Sequence, residues 1–272
     1  MGERHAVRLM RRGGAVLFAI WAGIWAILGG FVVGTLFVLP FAAVPRGQRE
    51  RYTIGGAALW ARWVLAVLAV RTEVTGDAEL QPGEGALVFC NHRSWLDPVL
   101  LIRYTRSNGL SKQEIFYIPA VGMFGWLAGA VFFDRTDKHQ RQRARDEVQF
   151  LVSSGFRIQV FPEGTRARDG VLREKVYLRL AMDCWPLGVP VVPCALLGTE
   201  DVLPVGRFEA WPGQRVRLDI GRALRPADYP DARRFAQACW DDVVARVGRL
   251  TAHAAESPER GSNPHSREGR GF

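Results

Sequence analysis

The stretch Ala86-Leu87-Val88-Phe89-Cys90-Asn91-His92-Arg93-Ser94-Trp95-Leu96-Asp97-Pro98 is where the pattern of this chain changes most sharply. A short β-rich run ends abruptly at Asn91-His92, and polar residues follow it. A histidine at the exit of a strand is well placed to face a cleft rather than a core. Asp97, five residues on, is its natural partner. On a regular helix that separation turns two side chains about 140° apart, so the pair meets only if the chain changes direction between them. Pro98 supports such a change: proline favours the first helical position, which makes Asp97 the expected helix cap and leaves His92 in the loop before it. A carboxylate bonded to one imidazole nitrogen fixes the tautomer and makes the other nitrogen a better base. The plainer reading, a satisfied loop histidine followed by a helix cap, stays open on this segment alone.

A second strand exit carries the same kind of signal. Arg157–Phe161 runs straight into Pro162-Glu163-Gly164-Thr165-Arg166. The turn holds a carboxylate, a flexible glycine, a hydroxyl and a guanidinium. Gly164 lets backbone amides approach an anion closely, while Thr165 and Arg166 supply donors suited to phosphate oxygens. A solvated Glu163–Arg166 pair is the bland alternative. In open α/β sheets ligands gather at the carboxyl ends of strands, where both segments fall.

Outward from these turns, β-rich runs recur at Ala86–Cys90, Ile115–Ile118, Ala130–Phe133, Arg157–Phe161, Val189–Leu196 and Arg215–Ile220. Helical spacing lies between them at Pro98–Thr105, His139–Val152, Glu174–Cys184 and Ala232–Leu250. This alternation predicts an α/β fold with a mixed, largely parallel sheet flanked by helices. The expected organisation is an N-terminal anchor over 1–70, a catalytic domain over 71–255 and a disordered tail over 256–272, whose Ser, Pro, Gly, Arg and Glu leave almost nothing apolar.

The N-terminal segment is of another kind. No charged side chain occurs from Gly13 to Pro45, a run longer than the ~20 residues needed to cross a bilayer. Arginines flank it on both sides: Arg4, Arg8, Arg11 and Arg12 before, Arg46, Arg49 and Arg51 after. A single span would put one cluster on the wrong side. Gly29-Gly30 is the expected break point of a re-entrant hairpin that keeps both clusters at one surface, and two full spans are the alternative. Ile54–Val70, with Arg62, Trp60 and Trp63, suits one leaflet's interface. Both pictures put the rest of the chain on the cytoplasmic side of the inner membrane.

Composition agrees with a polyanionic neighbour. Lys+Arg 36 against Asp+Glu 27 leaves a net charge of +9, which suits anionic lipid. Nucleic acid fits poorly, because the charges flank an apolar anchor and no basic-aromatic binding module is seen. The 4 cysteines are scattered and form no C-x-x-C pair, so reduced thiols are expected rather than a disulfide framework or metal knuckle. No G-x-S-x-G elbow occurs. A metal at His92/Asp97 has no further acid or histidine cluster in support.

Together these residues resemble the glycerolipid acyltransferases, most closely the bacterial 1-acyl-glycerol-3-phosphate acyltransferases that make phosphatidic acid. Asn91-His92 through Asp97 matches the N-H-x-x-x-x-D block, with the usual serine at Ser94. Gly129-Ala130-Val131-Phe132-Phe133-Asp134-Arg135 looks like the second block, Phe161-Pro162-Glu163-Gly164-Thr165-Arg166 matches the third in full, and Val189-Pro190-Val191-Val192-Pro193 is similar to the fourth. The likeness covers roughly residues 71–225. It implies a glycerol-3-phosphate acyltransferase-like fold and direct transfer from acyl-CoA or acyl carrier protein to a lysophospholipid hydroxyl, with no further cofactor, no metal and no acyl-enzyme. On this resemblance His92 and Asp97 are catalytic. Arg135 and Arg166 hold the acceptor phosphate, Glu163, Gly164 and Thr165 shape that pocket, and Pro193 shapes the acyl-donor side. The family continues from the third block to Phe-Lys-x-Gly, whereas this chain reads Arg173-Glu174-Lys175-Val176-Tyr177-Leu178. That departure keeps another lyso-acceptor, such as a lyso-ornithine lipid, in play. Two other classes are a catalytically idle lipid-binding protein of the same fold and a metal-dependent lipid phosphohydrolase.

Overall fold

The computed structural model describes residues 2–167 and 171–256. The uncharged N-terminal run folds as one continuous helix, α1 (Gly2–Phe37), about 54 Å long at 1.5 Å per residue. The expected break at Gly29-Gly30 does not occur. Those glycines instead form a groove for tryptophans from the next helix: a Cβ on Gly29 would lie 2.4 Å from the Trp63 ring, and one on Gly30 would lie 3.2 Å from Trp60. Both indoles donate into α1, Trp60 to the Ala26 carbonyl and Trp63 to that of Trp25, each at 3.0 Å. The chain turns back later. Pro40 cannot continue a helix, a 3-10 turn covers Leu39–Phe41, and α2 (Glu50–Val67) returns along α1. A helical hairpin therefore forms with its reversal at 38–49, and Arg11 and Arg12 lie at the opposite end of α1 from Arg46, Arg49 and Arg51.

Among the described residues seven strands make one sheet: β1 (Arg71–Gly76), β2 (Ala86–Cys90), β3 (Ser107–Lys112), β4 (Val131–Phe133), β5 (Arg157–Val160), β6 (Val191–Leu197) and β7 (Arg215–Ile220), in the order β1-β7-β6-β2-β5-β3-β4. Every neighbouring pair is parallel except β6 with β7. β2 is buried throughout because it is covered on both faces. Leu87 and Phe89 point into one core with α5 (Lys138–Ser153), α6 (Arg179–Cys184) and α8 (Ala232–Glu256). Ala86, Val88 and Cys90 point into the other, with α2, α3 (Asp97–Thr105) and α7 (Thr199–Val202). α4 (Val121–Leu127) closes the sheet edge beside β4, and its Phe124 packs with Val38 at the end of α1. α1 also touches the body near its other end, where the Ala15 carbonyl accepts from Ala210 N at 3.1 Å.

Three local expectations are corrected. Ile115–Ile118 is not a strand; Gln113–Tyr117 forms a 3-10 turn, and the strand precedes it at Ser107–Lys112. That sequence, Ser-Asn-Gly-Leu-Ser-Lys, lacks β-branched residues and pairs because β5 and β4 flank it. Glu174–Leu178 is not helical, and α6 begins only at Arg179. The Arg173 and Tyr177 amides bond instead to the Glu163 carboxylate and the Pro162 carbonyl, at 3.2 and 2.8 Å. Of the expected tail, Glu256 closes α8 and residues 257–272 lie outside the described part of the chain.

Candidate active site

His92 leaves the carboxyl end of β2, the Glu163 turn leaves β5 and Arg135 follows β4, so all three meet at one end of the parallel strands. His92 Nδ1 lies 2.8 Å from Asp97 Oδ2. The change of direction that five-residue spacing required is produced by the carboxylate itself. The same Asp97 oxygen accepts from the amides of Arg93 at 2.5 Å and Ser94 at 2.8 Å, folding the loop around one atom. Asp97 is accordingly not the helix cap: Leu96 occupies that position, and Asp97 is the first residue of α3 with Pro98 behind it. Its carboxylate serves the preceding loop rather than the helix's own amides. Asp97 is fully buried, whereas 17% of the His92 side chain remains accessible. The imidazole stacks on Phe161 at 4.1 Å between centroids, which limits its rotation.

Glu163 does more than shape a pocket rim. It is buried, and its Oε2 accepts the His92 backbone amide at 2.8 Å while Oε1 accepts from Arg173. The His92 carbonyl in turn accepts from Ala167 N at 2.9 Å. The two strand-exit loops thus clasp the histidine's backbone from both sides. Burial holds the Glu163 carboxyl above the ordinary glutamate range, partly offset by the two backbone donors. The solvated Glu163–Arg166 pair is not what forms.

Gly164 adopts φ +68°, a left-handed conformation that favours glycine, and turns its carbonyl toward Arg135, whose Nη1 donates to it. Arg141 holds the backbone of that arginine through the Arg135 and Thr136 carbonyls. The Arg166 guanidinium lies over the Trp95 ring, 4.3 Å from its centroid, and Thr165 is exposed at the rim. His92, Asp97, Glu163, Gly164, Arg135 and Arg166 therefore converge around the two loops. Pro193 does not join them. It lies within β6 opposite Phe89, buried, on the sheet face that carries Val191 and Ala195, below the level at which His92 emerges.

Several supports were invisible from spacing alone. Asn91 is fully buried and exchanges two hydrogen bonds with the Leu196 backbone, at 2.9 and 2.8 Å, locking the β2 exit to β6. Arg93 pairs with Glu200 at 2.6 Å, and Ser94 Oγ donates to the Leu203 carbonyl. These partners stand more than a hundred residues away, where no local signal connects them. Cys90, next to Asn91, is a buried free thiol, and burial pushes its pKa up, the reverse of an activated nucleophile. Among the described residues no group of three or more His, Cys, Asp or Glu side chains is placed to hold a metal ion.

Residues 71–197 match the family model described as Acyltransferase. That segment belongs to the acyltransferase family. The acyltransferase segment contains every candidate residue described above. The chain is 30% identical over 204 residues to a chloroplastic 1-acyl-sn-glycerol-3-phosphate acyltransferase of Brassica napus, covering 74% of this chain and 58% of that one. It is 33% identical over 176 residues to a 1-acyl-sn-glycerol-3-phosphate acyltransferase of Chlamydomonas reinhardtii, covering 62% and 52%. The chain thus spans a little over half the length of these relatives. Its fold is also that of PlsC, the 1-acyl-sn-glycerophosphate (LPA) acyltransferase from Thermotoga maritima, with a TM-score of 0.72 at 24% identity over 90% of this chain and 98% of that one.

Proposed function

We propose that this chain transfers a fatty acyl group from an acyl thioester to the free hydroxyl of 1-acylglycerol-3-phosphate, giving phosphatidic acid. The observation that carries this reading is the His92–Asp97 pair: a buried carboxylate 2.8 Å from Nδ1 and an imidazole still open to an acceptor. With Nδ1–H donated to Asp97, Nε2 keeps its lone pair and takes the acceptor's hydroxyl proton. The resulting oxygen nucleophile attacks the thioester carbonyl. Collapse of the tetrahedral adduct breaks the C–S bond, and the departing sulfur recovers the proton from the imidazolium. No acyl-enzyme is formed, and the thiol of coenzyme A or of acyl carrier protein is the second product. Arg135 and Arg166 take the acceptor's phosphate; guanidinium forks suit that group. Glu163 and Gly164 act as positioning residues, and Thr165 lines the rim.

The acceptor's acyl chain resides in a bilayer, and α1 supports attachment there. Its segment Leu9–Phe37 is long and apolar enough to cross a membrane. However, one side of the helix is fastened to the body at Ala15 and Ala22, and Val38 just beyond its end packs against α4. The side bearing Leu17, Ile20, Trp21, Ile24, Leu28, Phe31 and Val32 is exposed. A helix bound along one side and apolar along the other suits a monotopic arrangement, with the catalytic domain on the cytoplasmic side.

The test is a transfer assay in detergent with acyl-CoA or acyl carrier protein donors and a panel of lyso-acceptors, lyso-ornithine lipid included, with products identified by mass spectrometry. His92→Ala is expected to lose at least ~10²-fold in rate with an unshifted melting temperature. Undiminished turnover in that variant refutes the assignment of the base. A parent that acylates only a phosphate-free acceptor refutes the phosphate role of the arginines.

A further inference from the structure

At the opposite end of the sheet from His92, a cavity of about 240 Å³ opens between the first turns of α2, the corner joining α3 to β3 and the start of β5. Three arginines line it: Arg51, Arg106 and Arg157. Two carboxylates line it as well, and both are already engaged. Glu84 takes the Arg225 guanidinium at 2.6 and 3.4 Å. Glu50 accepts from Gly47 N at 2.8 Å, and Arg49 Nε lies 3.8 Å from its other oxygen.

Among the described residues no carboxylate comes within 4.0 Å of the three lining guanidiniums. Arg157 donates to the Thr105 carbonyl at 3.2 Å and Arg51 to that of Ser154 at 3.5 Å. These are contacts at helix C-termini, and they account for part of the placement of both residues. A carbonyl nevertheless occupies one or two of a guanidinium's five donors and neutralises none of its charge. Arg157 is half-buried, and loss of solvent lowers its pKa, an effect that the charges of Glu84 and Asp77 offset only in part. Arg106 is the left-handed residue after α3, with φ 56°. Glycine or asparagine is the ordinary occupant of that conformation, so ending the helix does not explain an arginine there.

We infer that this cavity binds a phosphate monoester, its charge held by Arg51, Arg106 and Arg157, at a site separate from the reaction centre. β5 enters the sheet at Arg157, opposite Ala86, while His92 lies beyond the far end of β2. Five residues of strand put the two sites about 16 Å apart or more. The ligand is either a free phosphorylated metabolite or the headgroup of an anionic lipid. Ile54, Leu151 and Phe156 add an apolar wall, and Tyr52, in the same turn of α2 as Arg51, is exposed.

Calorimetric titration of the full chain in detergent micelles with glycerol 3-phosphate and with dihexanoyl phosphatidic acid tests this. Arg106→Gln is expected to weaken one class of sites at least ten-fold, the scale of one charge-assisted hydrogen bond, and Arg166→Gln is expected to leave that class intact. Dihexanoyl phosphatidic acid binding more than ten-fold tighter than glycerol 3-phosphate assigns the site to a lipid headgroup; equal binding assigns it to a soluble phosphate. Among the described residues the exposed Arg106 side chain has no hydrogen-bond or ion-pair partner, so its substitution does not threaten the fold. Arg157→Gln, which loses the Thr105 contact, is read alongside a melting curve. Isotherms for Arg106→Gln that superimpose on the parent's overturn the inference, as does phosphate binding lost only with Arg166→Gln. Neither outcome touches acyl transfer, which the His92→Ala assay reads separately.

Discussion

Asp97→Asn separates the electrostatic role of the carboxylate from its structural one. Asparagine has the same shape, and its carbonyl can occupy the position of Oδ2, where it still accepts from the Arg93 and Ser94 amides and from His92 Nδ1. What disappears is the negative charge facing the ring as it takes up a proton. A hydrogen bond to a charged group is worth about 1.5–3 kcal/mol against about 0.5–1.5 for a neutral one, a loss of about 1–2 kcal/mol. Direct attraction between unit charges some 4 Å apart at an effective dielectric of 20 sets an upper scale of about 4 kcal/mol. At 1.36 kcal/mol per decade, kcat should fall between about 5-fold and 10³-fold, read as thiol release, with little change in melting temperature. Asp97→Ala should behave differently. It strands two buried backbone donors at about 1–3 kcal/mol each, so stability drops by about 2–6 kcal/mol along with the rate. Asp97→Asn turning over within two-fold of the parent would refute the argument that the carboxylate tunes His92.

Three further outcomes follow from particular contacts. Arg166→Ala should raise the acceptor KM by about 10–150-fold, the equivalent of a charged hydrogen bond, while Trp95→Ala, which removes only the stacking that orients Arg166, should raise it about 2–5-fold; a change confined to the donor KM argues against both. Glu163 has a folded-state pKa raised by burial, so the stability it contributes is fullest below the ordinary glutamate range and is lost as pH rises through the raised value. The melting temperature of the parent should therefore rise relative to that of Glu163→Gln on acidification from pH 7 toward 4, and a relative fall contradicts the burial argument. In α1, Gly23→Ala meets nothing within 4 Å and should stabilise by about 0.5–1 kcal/mol; Gly34→Ala would bring a Cβ to 2.3 Å from the Phe124 ring and should destabilise by about 1–3 kcal/mol, with thermal melts in detergent to compare the two.

Much of the site was legible because its residues cluster at strand exits. His92 with Asp97, and Glu163 through Arg166, each sit in one short polar break after an apolar run, and local chain geometry suffices to place such pieces on loops. Asp97's position was read less well: a cap was expected, and the carboxylate turned inward to gather the loop, because a buried charge is held best by several donors at once. β3 escaped notice because Ser107–Lys112 has the composition of a turn. Gly29-Gly30 misled in the opposite sense, since a glycine pair in a helix permits either a break or a close approach, and only the tryptophans of α2 decide between them.

By itself the sequence determined the alternation of strands and helices, the apolar N-terminal segment, and which short breaks carry acid, base and guanidinium, all of which depend on near neighbours in the chain. The tertiary structure alone decided that one aspartate oxygen organises the His92 loop, that Glu163 and Ala167 grip the histidine's backbone from across the sheet, that Asn91 ties β2 to β6, and that three arginines share a cavity at the far end. Each of these joins groups tens of residues apart, and hydrogen bonds and charges select partners by distance in space, which a one-dimensional pattern does not contain.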